Sequence, residues 1–305
     1  MALVRCYIGG GREGSNLTID GNIGGEVLIF RVVLPVYSVV RRKTGVFVPR
    51  LCAYGGQERM PAASSSQGRQ EVVHQLTPRD LICLTWIAMQ YAIRLDQLQR
   101  LLYRLTPEQD RHKLKPGVDR LSLDRTYEII AKWQALGLIE KQIILHGDRL
   151  WIWASREGLR VCQLPFTSSG KPASVRLPHL FYINQIRLYI EDKRPDDRWT
   201  SERQIRRDAG APTKGEDLPH LPDAILTATT GKVTALEIER SSKTEEELLA
   251  DLRELAVTYK SIWYFTTTAT KRQLEAVLAE MSEEMRKPFR LYSLVEYGGC
   301  AYGIT

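Results

Sequence analysis

Three carboxylates lie close enough along the chain to act together: Asp223, Glu237 and Glu239. Asp223 follows Pro222 and opens an apolar run through Leu226. Thr229-Thr230-Gly231-Lys232 has turn composition, and the return run from Val233 ends in Glu237-Ile238-Glu239. Side chains alternate along a strand, so Glu237 and Glu239 share one face and Ile238 points to the other. On a strand rich in Val, Leu and Ile, two such acids repel each other unless a cation lies between them. Hard oxygen donors of this kind suit Mg²⁺, with Mn²⁺ as a substitute. The alternative is an exposed edge strand that carries both glutamates into water. The connection decides where Asp223 goes: an odd loop or a bulge puts it on the glutamates' face, an even loop on the other.

The elements around these acids follow from periodicity. Helix is expected over 178–192, a strand and its exit over 198–204, then the two strands just described. A helix over 244–259, a strand over 261–267, a helix over 271–285 and a strand over 289–297 complete the order α-β-β-β-α-β-α-β. Upstream, Leu76-Thr77-Pro78-Arg79-Asp80 reads as a helix start. Helices are expected from there to about residue 91, over 95–105 and over 121–136, the last closed by Gly137. Two short strands, 139–145 and 149–153, then turn at His146-Gly147-Asp148. Three helices followed by a two-stranded ribbon is the order of a winged helix, a helix-turn-helix variant. Its third helix enters the DNA major groove and its ribbon tip touches phosphate. The groups it would present are Arg120, Ser122, Asp124, Arg125, Tyr127 and Lys132, with Arg149 at the wing. The alternative is an ordinary solvated face on a module that only dimerises.

Pro222-Asp223 followed by Glu237-x-Glu239 resembles the site of the restriction-endonuclease-like superfamily, known by its PD-(D/E)-x-K pattern. That resemblance implies that Asp223 and Glu237 hold a metal. Glu239 stands where the pattern has lysine, and Lys243 is the cation that could reach back to the site. The order of elements agrees with that superfamily's core. A winged helix, His179 and Asn184, the run Trp199 to Arg203, Pro-Asp, Glu-x-Glu and Ser242-Lys243 together resemble the replication-relaxation family of plasmids and mobile elements. The resemblance covers roughly residues 76 to 290. It implies double-stranded DNA as partner, replication or mobilisation proteins as further partners, and Glu202, Asp223, Glu237, Glu239 and Lys243 as site residues. The expected fold is thus α+β with α/β character. It comprises an undefined leader (1–75), a winged-helix domain (76–165), a linker (166–177) and a restriction-endonuclease-like domain (178–305).

The 305 residues, 43% hydrophobic and 26% charged, have the composition of a soluble protein with room for two cores. The net charge is +7. Residues 76–165 carry 14 Lys and Arg against 10 Asp and Glu, while 166–305 carry 20 against 21. The cationic excess therefore lies in the first half of the chain, and that is where contact with a polyanion is sought. Cys6, Cys52, Cys83, Cys162 and Cys300 are scattered without zinc spacing, which fits a reducing cytoplasm. The apolar run from Val27 to Val40 is interrupted by Arg31 and Pro35 and is too short for a membrane span. The chain shows no nucleotide-binding Gly-Lys-Ser/Thr motif and no tyrosine placed for a histidine-cluster relaxase. Residues 1–75 are read as a loose strand pair or an unstructured leader, with a flexible linker at 60–66. His220 lies three residues before Asp223 and could line the same cleft. Two functions remain: a metal-dependent DNA nickase or nuclease, and a non-catalytic DNA-binding scaffold with a degenerate nuclease fold. A homodimer is compatible with either.

Overall fold

The computed structural model describes residues 5–9, 16–23, 26–33, 75–111, 117–166, 170–210, 220–241 and 243–298. The chain divides into two compact units, Met1–Thr77 and Pro78–Thr305. In the first, β1 (Arg5–Gly9), β2 (Asn16–Ile23) and β3 (Glu26–Val33) form an antiparallel meander. That is one strand more than the expected pair. The expected linker at 60–66 lies outside the described residues.

The second unit is mixed α and β. It begins with α1 (Pro78–Met89), β4 (Ile93–Arg94), α2 (Leu95–Arg104), a short α3 (Glu108–Arg111) and α4 (Leu123–Ala135). Next come β5 (Ile139–Gln142), β6 (Trp151–Ala154) and α5 (Arg156–Val161). These strands pair antiparallel in the order β4-β6-β5. Ser122 caps α4 by accepting from the Arg125 amide, which satisfies one of the donors that every helix start leaves open.

The remainder runs α6 (Leu177–Lys193), β7 (Arg198–Ser201), α7 (Glu202–Ala209), β8 (Ala224–Thr227), β9 (Val233–Glu239) and α8 (Glu245–Thr258). It closes with β10 (Ile262–Thr266), α9 (Thr268–Glu280), α10 (Glu283–Arg286), β11 (Phe289–Ser293) and α11 (Val295–Gly298). The sheet order is β11-β10-β9-β8-β7. β7, β8 and β9 pair antiparallel, and β9, β10 and β11 pair parallel through the α8 and α9 crossovers. The expected element order holds, with three differences. The single helix expected over 271–285 is two, α9 and α10. The exit of β7 is a full helix, α7, and the closing strand stops at Ser293, where the chain turns into α11.

Each face of this sheet has its own core. Ala235, Ile262, Tyr264 and Phe289 pack under Leu248, Leu252 and Leu255 of α8 and under Leu274, Val277 and Leu278 of α9. On the opposite face, Leu226, Leu236, Ile238 and Phe265 pack against α6. That helix is apolar nearly all round, and such a helix must be covered on more than one side. The cover on its far side is Ala92, Trp151 and Trp153 from the first half of the unit, in the same continuous core. The two halves flanking residues 166–177 therefore share one interior. Its polar joint is fully buried Asn184, whose side-chain amide donates to the Ala92 carbonyl (2.9 Å), while Gln97 donates to the Phe181 carbonyl (2.8 Å). A second joint is Glu191, which accepts from the Trp86 indole (3.0 Å) and pairs with Arg104 and Arg187.

Candidate functional site

Five residues, Ala228 to Lys232, connect β8 to β9, and the register pairs Thr227 with Val233 and Ala224 with Leu236. Carried one step past the ladder, the odd loop would bring Asp223 opposite Glu237, but Asp223 itself lies in a bend just outside β8. Ladder pairing stops at Ala224, and the Asp223 side chain takes over from it. Its Oδ2 accepts from the Ile238 amide at 2.8 Å. The other carboxylate oxygen, Oδ1, lies 3.1 Å from Nε2 of His179, which projects from the first turn of α6.

Glu237 is 6% exposed, in the middle of β9. Its Oε1 lies 3.0 Å from Nε2 of His220, and the other ring nitrogen of His220 lies 3.4 Å from Asp251 of α8. The His220 backbone amide donates to Glu254, also on α8, at 2.9 Å, so the ring is held from both ends. Lys243 sits 2.8 Å from both Glu239 and Asp251. One chain of contacts thus runs from Glu237 through His220, Asp251 and Lys243 to Glu239. Glu239 itself is turned toward the segment that follows it, accepting from the Arg240 and Ser241 amides.

Electrostatics separates the two acids. Burial opposes ionisation of both. At Asp223 the His179 ring, the Ile238 amide and the charge of His220 outweigh burial and hold the carboxyl below its ordinary value. At Glu237 burial and the charge of Asp223 prevail over His220 and Lys243, and the pKa is pushed up to about 7. His220 is raised by its bond to Glu237, against burial. For His179, burial pulls downward, but the charge of and bond to Asp223 leave the ring raised. The arrangement therefore holds a carboxylate kept ionised beside a buried carboxylic acid that resists losing its proton and lies against an imidazole. A site of this kind can bind a cation or move a proton.

The remaining candidates divide. The amide of Glu202 donates to the Asp223 carbonyl at 3.0 Å, but its carboxylate is engaged by Arg176 (2.8 Å) and Arg206 (2.7 Å). Lys132, expected on the outward face of α4, instead reaches inward to Asp80, which is 1% exposed and also accepts from the Trp133 indole. Arg120 pairs with Asp119 and Arg125 with Glu128 on the exposed face, where Tyr127 and Leu123 also lie open. Arg149 is exposed beside the turn at Gly147 (φ +77°). His179, Asp251 and Arg176 join the site through the fold rather than through their sequence context. Of these only His179, by its position in the helix start before Asn184, carries any sequence signal.

Among the described residues no group of three or more His, Cys, Asp and Glu side chains is disposed to hold a metal ion. No described helix is long and apolar enough to cross a membrane. Comparison with protein-family models, curated proteins and solved structures finds no match to this chain.

Proposed function

We propose that this protein binds double-stranded DNA and cleaves one of its strands, with Asp223 and Glu237 as the acidic pair of a metal-dependent phosphodiester site. The observation that carries the reading is the Asp223 carboxylate held by the amide of Ile238, the residue after Glu237, at the end of the β8–β9 ladder. The reading draws further support from the sheet, with three antiparallel and then parallel strands between helices, which fits a restriction-endonuclease-like core. Three helices with a β4-β6-β5 ribbon fit a winged helix that would carry the DNA contact.

The donor chemistry fits Mg²⁺. That ion is commonly held by one or two carboxylates together with substrate phosphate rather than by a full protein cage. Asp223 and Glu237 would hold it, and the pKa of Glu237, raised by burial first and by the charge of Asp223 second, is one that a bound cation would lower. When bound, such an ion lowers the pKa of a water and neutralises developing phosphate charge. The chain's own groups supply the rest. His179 orients Asp223, the His220 imidazole lies against Glu237, and Lys243 places a positive charge on the Glu239 side. The experiment is supercoiled plasmid incubated with Mg²⁺ or Mn²⁺, wild type beside Asp223→Ala. Nicking by wild type alone supports the reading, and intact plasmid with both proteins refutes it.

A second reading, a DNA-binding scaffold for replication or mobilisation partners, is favoured by one observation. Asp223, Glu237 and Glu239 are each already engaged by a basic group of the chain, His179, His220 and Lys243 respectively. Such pairing lets the acids persist without a metal.

A further inference from the structure

Beside the His179 end of the acidic site lies a cavity of about 340 Å³, within the size range of small-ligand pockets. It is lined by Tyr91, by Lys171 and its neighbours, by Arg176 at the start of α6 and by Arg203 of α7. Three of the lining side chains are cationic, and two of them, Arg176 and Arg203, are fixed by contacts of the fold. Arg203 is 8% exposed. It donates to the Ala88 carbonyl at 2.6 Å, and its guanidinium lies 5.0 Å from the Tyr91 ring centre and 4.2 Å from that of Phe166. Arg176 lies 5.0 Å from the same Tyr91 ring, so one aromatic side chain positions both guanidinium groups.

Tyr91 is itself held in an unfavourable conformation. Its φ is +65°, and the Ala92 amide donates to the Gln90 carbonyl at 2.8 Å, closing a three-residue turn around it. A bulky residue is disfavoured in the left-handed region and persists there where surrounding structure enforces it. Burial also holds Arg203 below its ordinary pKa, a penalty that an arriving anion would reduce. The acid nearest in sequence, Glu202, is drawn to Arg176 and Arg206.

Two short connections tie this wall to the acids. Arg176 precedes His179 by three residues, one helical turn. Arg203 follows Glu202, whose amide holds the Asp223 carbonyl. We propose that this cavity is a phosphate site, formed by Lys171, Arg176 and Arg203, that receives a phosphate of the nucleic-acid strand lying across Asp223 and Glu237. Planar guanidinium groups match phosphate oxygens two at a time, which is the recognition this wall offers. Phosphate binding rests on the cavity alone, and the assignment of that phosphate to a DNA strand rests on the proposed function.

The test is calorimetric titration of the full chain with inorganic phosphate and with single-stranded octanucleotides bearing either a 5′-phosphate or a 5′-hydroxyl. It is repeated on Arg203→Gln and on Lys171→Glu. Arg203 is buried, so its variant could fail to fold. Lys171 is exposed at the rim, and circular dichroism melts verify that its variant keeps the fold. Phosphate binding that weakens about tenfold or more in Lys171→Glu, a loss of roughly 1.4 kcal/mol, supports the site. A preference for the 5′-phosphate strand assigns a terminal phosphate. Equal binding of both strands, displaced by inorganic phosphate, assigns the backbone. Absence of phosphate binding, or binding unchanged in a folded Lys171→Glu, overturns the proposal. Duplex binding measured separately by anisotropy keeps the two readings apart. Duplex bound without phosphate sinks only the cavity, and phosphate bound without any DNA sinks only the DNA assignment.

Discussion

Asp223 lies just beyond the Ala224–Leu236 pair that ends the β8–β9 ladder, its carboxylate held by the Ile238 amide next to Glu237, and the environments of the two acids drive their ionisation apart. Asp223 is kept charged by His179 and the Ile238 amide, while Glu237, buried and beside that charge, resists losing its proton. Pairs of titratable groups pushed in opposite directions are the usual arrangement where acid–base or cation chemistry is carried out.

The first prediction concerns pH. Glu237 has a folded pKa of about 7, above its ordinary 4.5, and His220 is also raised. A raised pKa contributes stability that is fully present below the unfolded value and lost as pH rises through the folded one. Both groups act in the same direction, so unfolding free energy should fall as pH increases from about 5 to 8. Glu237→Gln removes the buried ionisation and should flatten that slope, leaving the variant the more stable protein at pH 8. Urea denaturation of both proteins across this range measures the slope, and parallel curves would refute the account.

The second concerns Tyr264, which neighbours Glu237 in the parallel pairing of β9 and β10. Its ring is fully buried, and its hydroxyl has no hydrogen-bond partner among the described residues. A buried polar group without a partner costs about 1–3 kcal/mol. Tyr264→Phe removes only that oxygen, so stability should stay level or rise by about 1 kcal/mol, whereas most core substitutions destabilise. A loss above about 1 kcal/mol in chemical denaturation would show that the hydroxyl is engaged.

Sequence reasoning reaches the acids through their spacing, but the place of Asp223 depends on loop parity and on a bend just before β8, neither of which the spacing reveals. It also reaches the order of the main elements, because each long element carries its own period. It stops where partners come from distant parts of the chain. Asp251 is one of many acids on a polar helix until α8 packs beside His220, and Arg203 looks like a surface cation until α7 folds it under Tyr91. The helix from Glu202 to Ala209 is strongly polar and gives little apolar signal, and β4 is only two residues long. The nearly all-round apolar character of α6 is visible in the sequence. It means cover on two sides, and hence one interior shared by the halves on either side of residues 166–177.

The third prediction separates binding from folding on α4. Arg120 and Arg125 are exposed and paired only with surface acids, and Arg149 is exposed at the ribbon. Neutralising all three should leave the fold intact. It should also flatten the salt dependence of duplex binding, by about one unit of slope for each phosphate that the variant no longer neutralises. Lys132→Met should do the opposite, destabilising by about 1–2 kcal/mol because it removes a charged partner from buried Asp80, with little change in salt slope. Anisotropy titrations across salt, with melting curves for each variant, read both effects. A triple variant that binds like wild type would rule out these three residues as the proposed DNA contact.

The last prediction turns on Lys243. It stands four residues after Glu239, just ahead of the α8 N-cap Thr244, and its ammonium group lies 2.8 Å from Glu239 and from Asp251. Burial disfavours its charge, but bonds to Asp251 and Glu239 more than compensate and raise its pKa, so it stays cationic at every working pH. The Gln273 side chain fixes its carbonyl at 2.6 Å, which limits how far the segment can drift. If the lysine serves only to tie Glu239 to α8, Lys243→Gln should cost a little stability, roughly 1 kcal/mol or less for a half-exposed pair, and leave plasmid nicking unchanged. If it supplies positive charge to the attacked phosphate, the same variant should lose nicking by about 10²-fold or more, the scale expected when one transition-state donor is removed. Mn²⁺ binding measured by calorimetry should then be nearly unchanged, because Asp223 and Glu237 remain. The proposed cleavage reading requires the second outcome. Wild-type protein that neither binds Mn²⁺ nor nicks DNA would leave the scaffold as the function of this site.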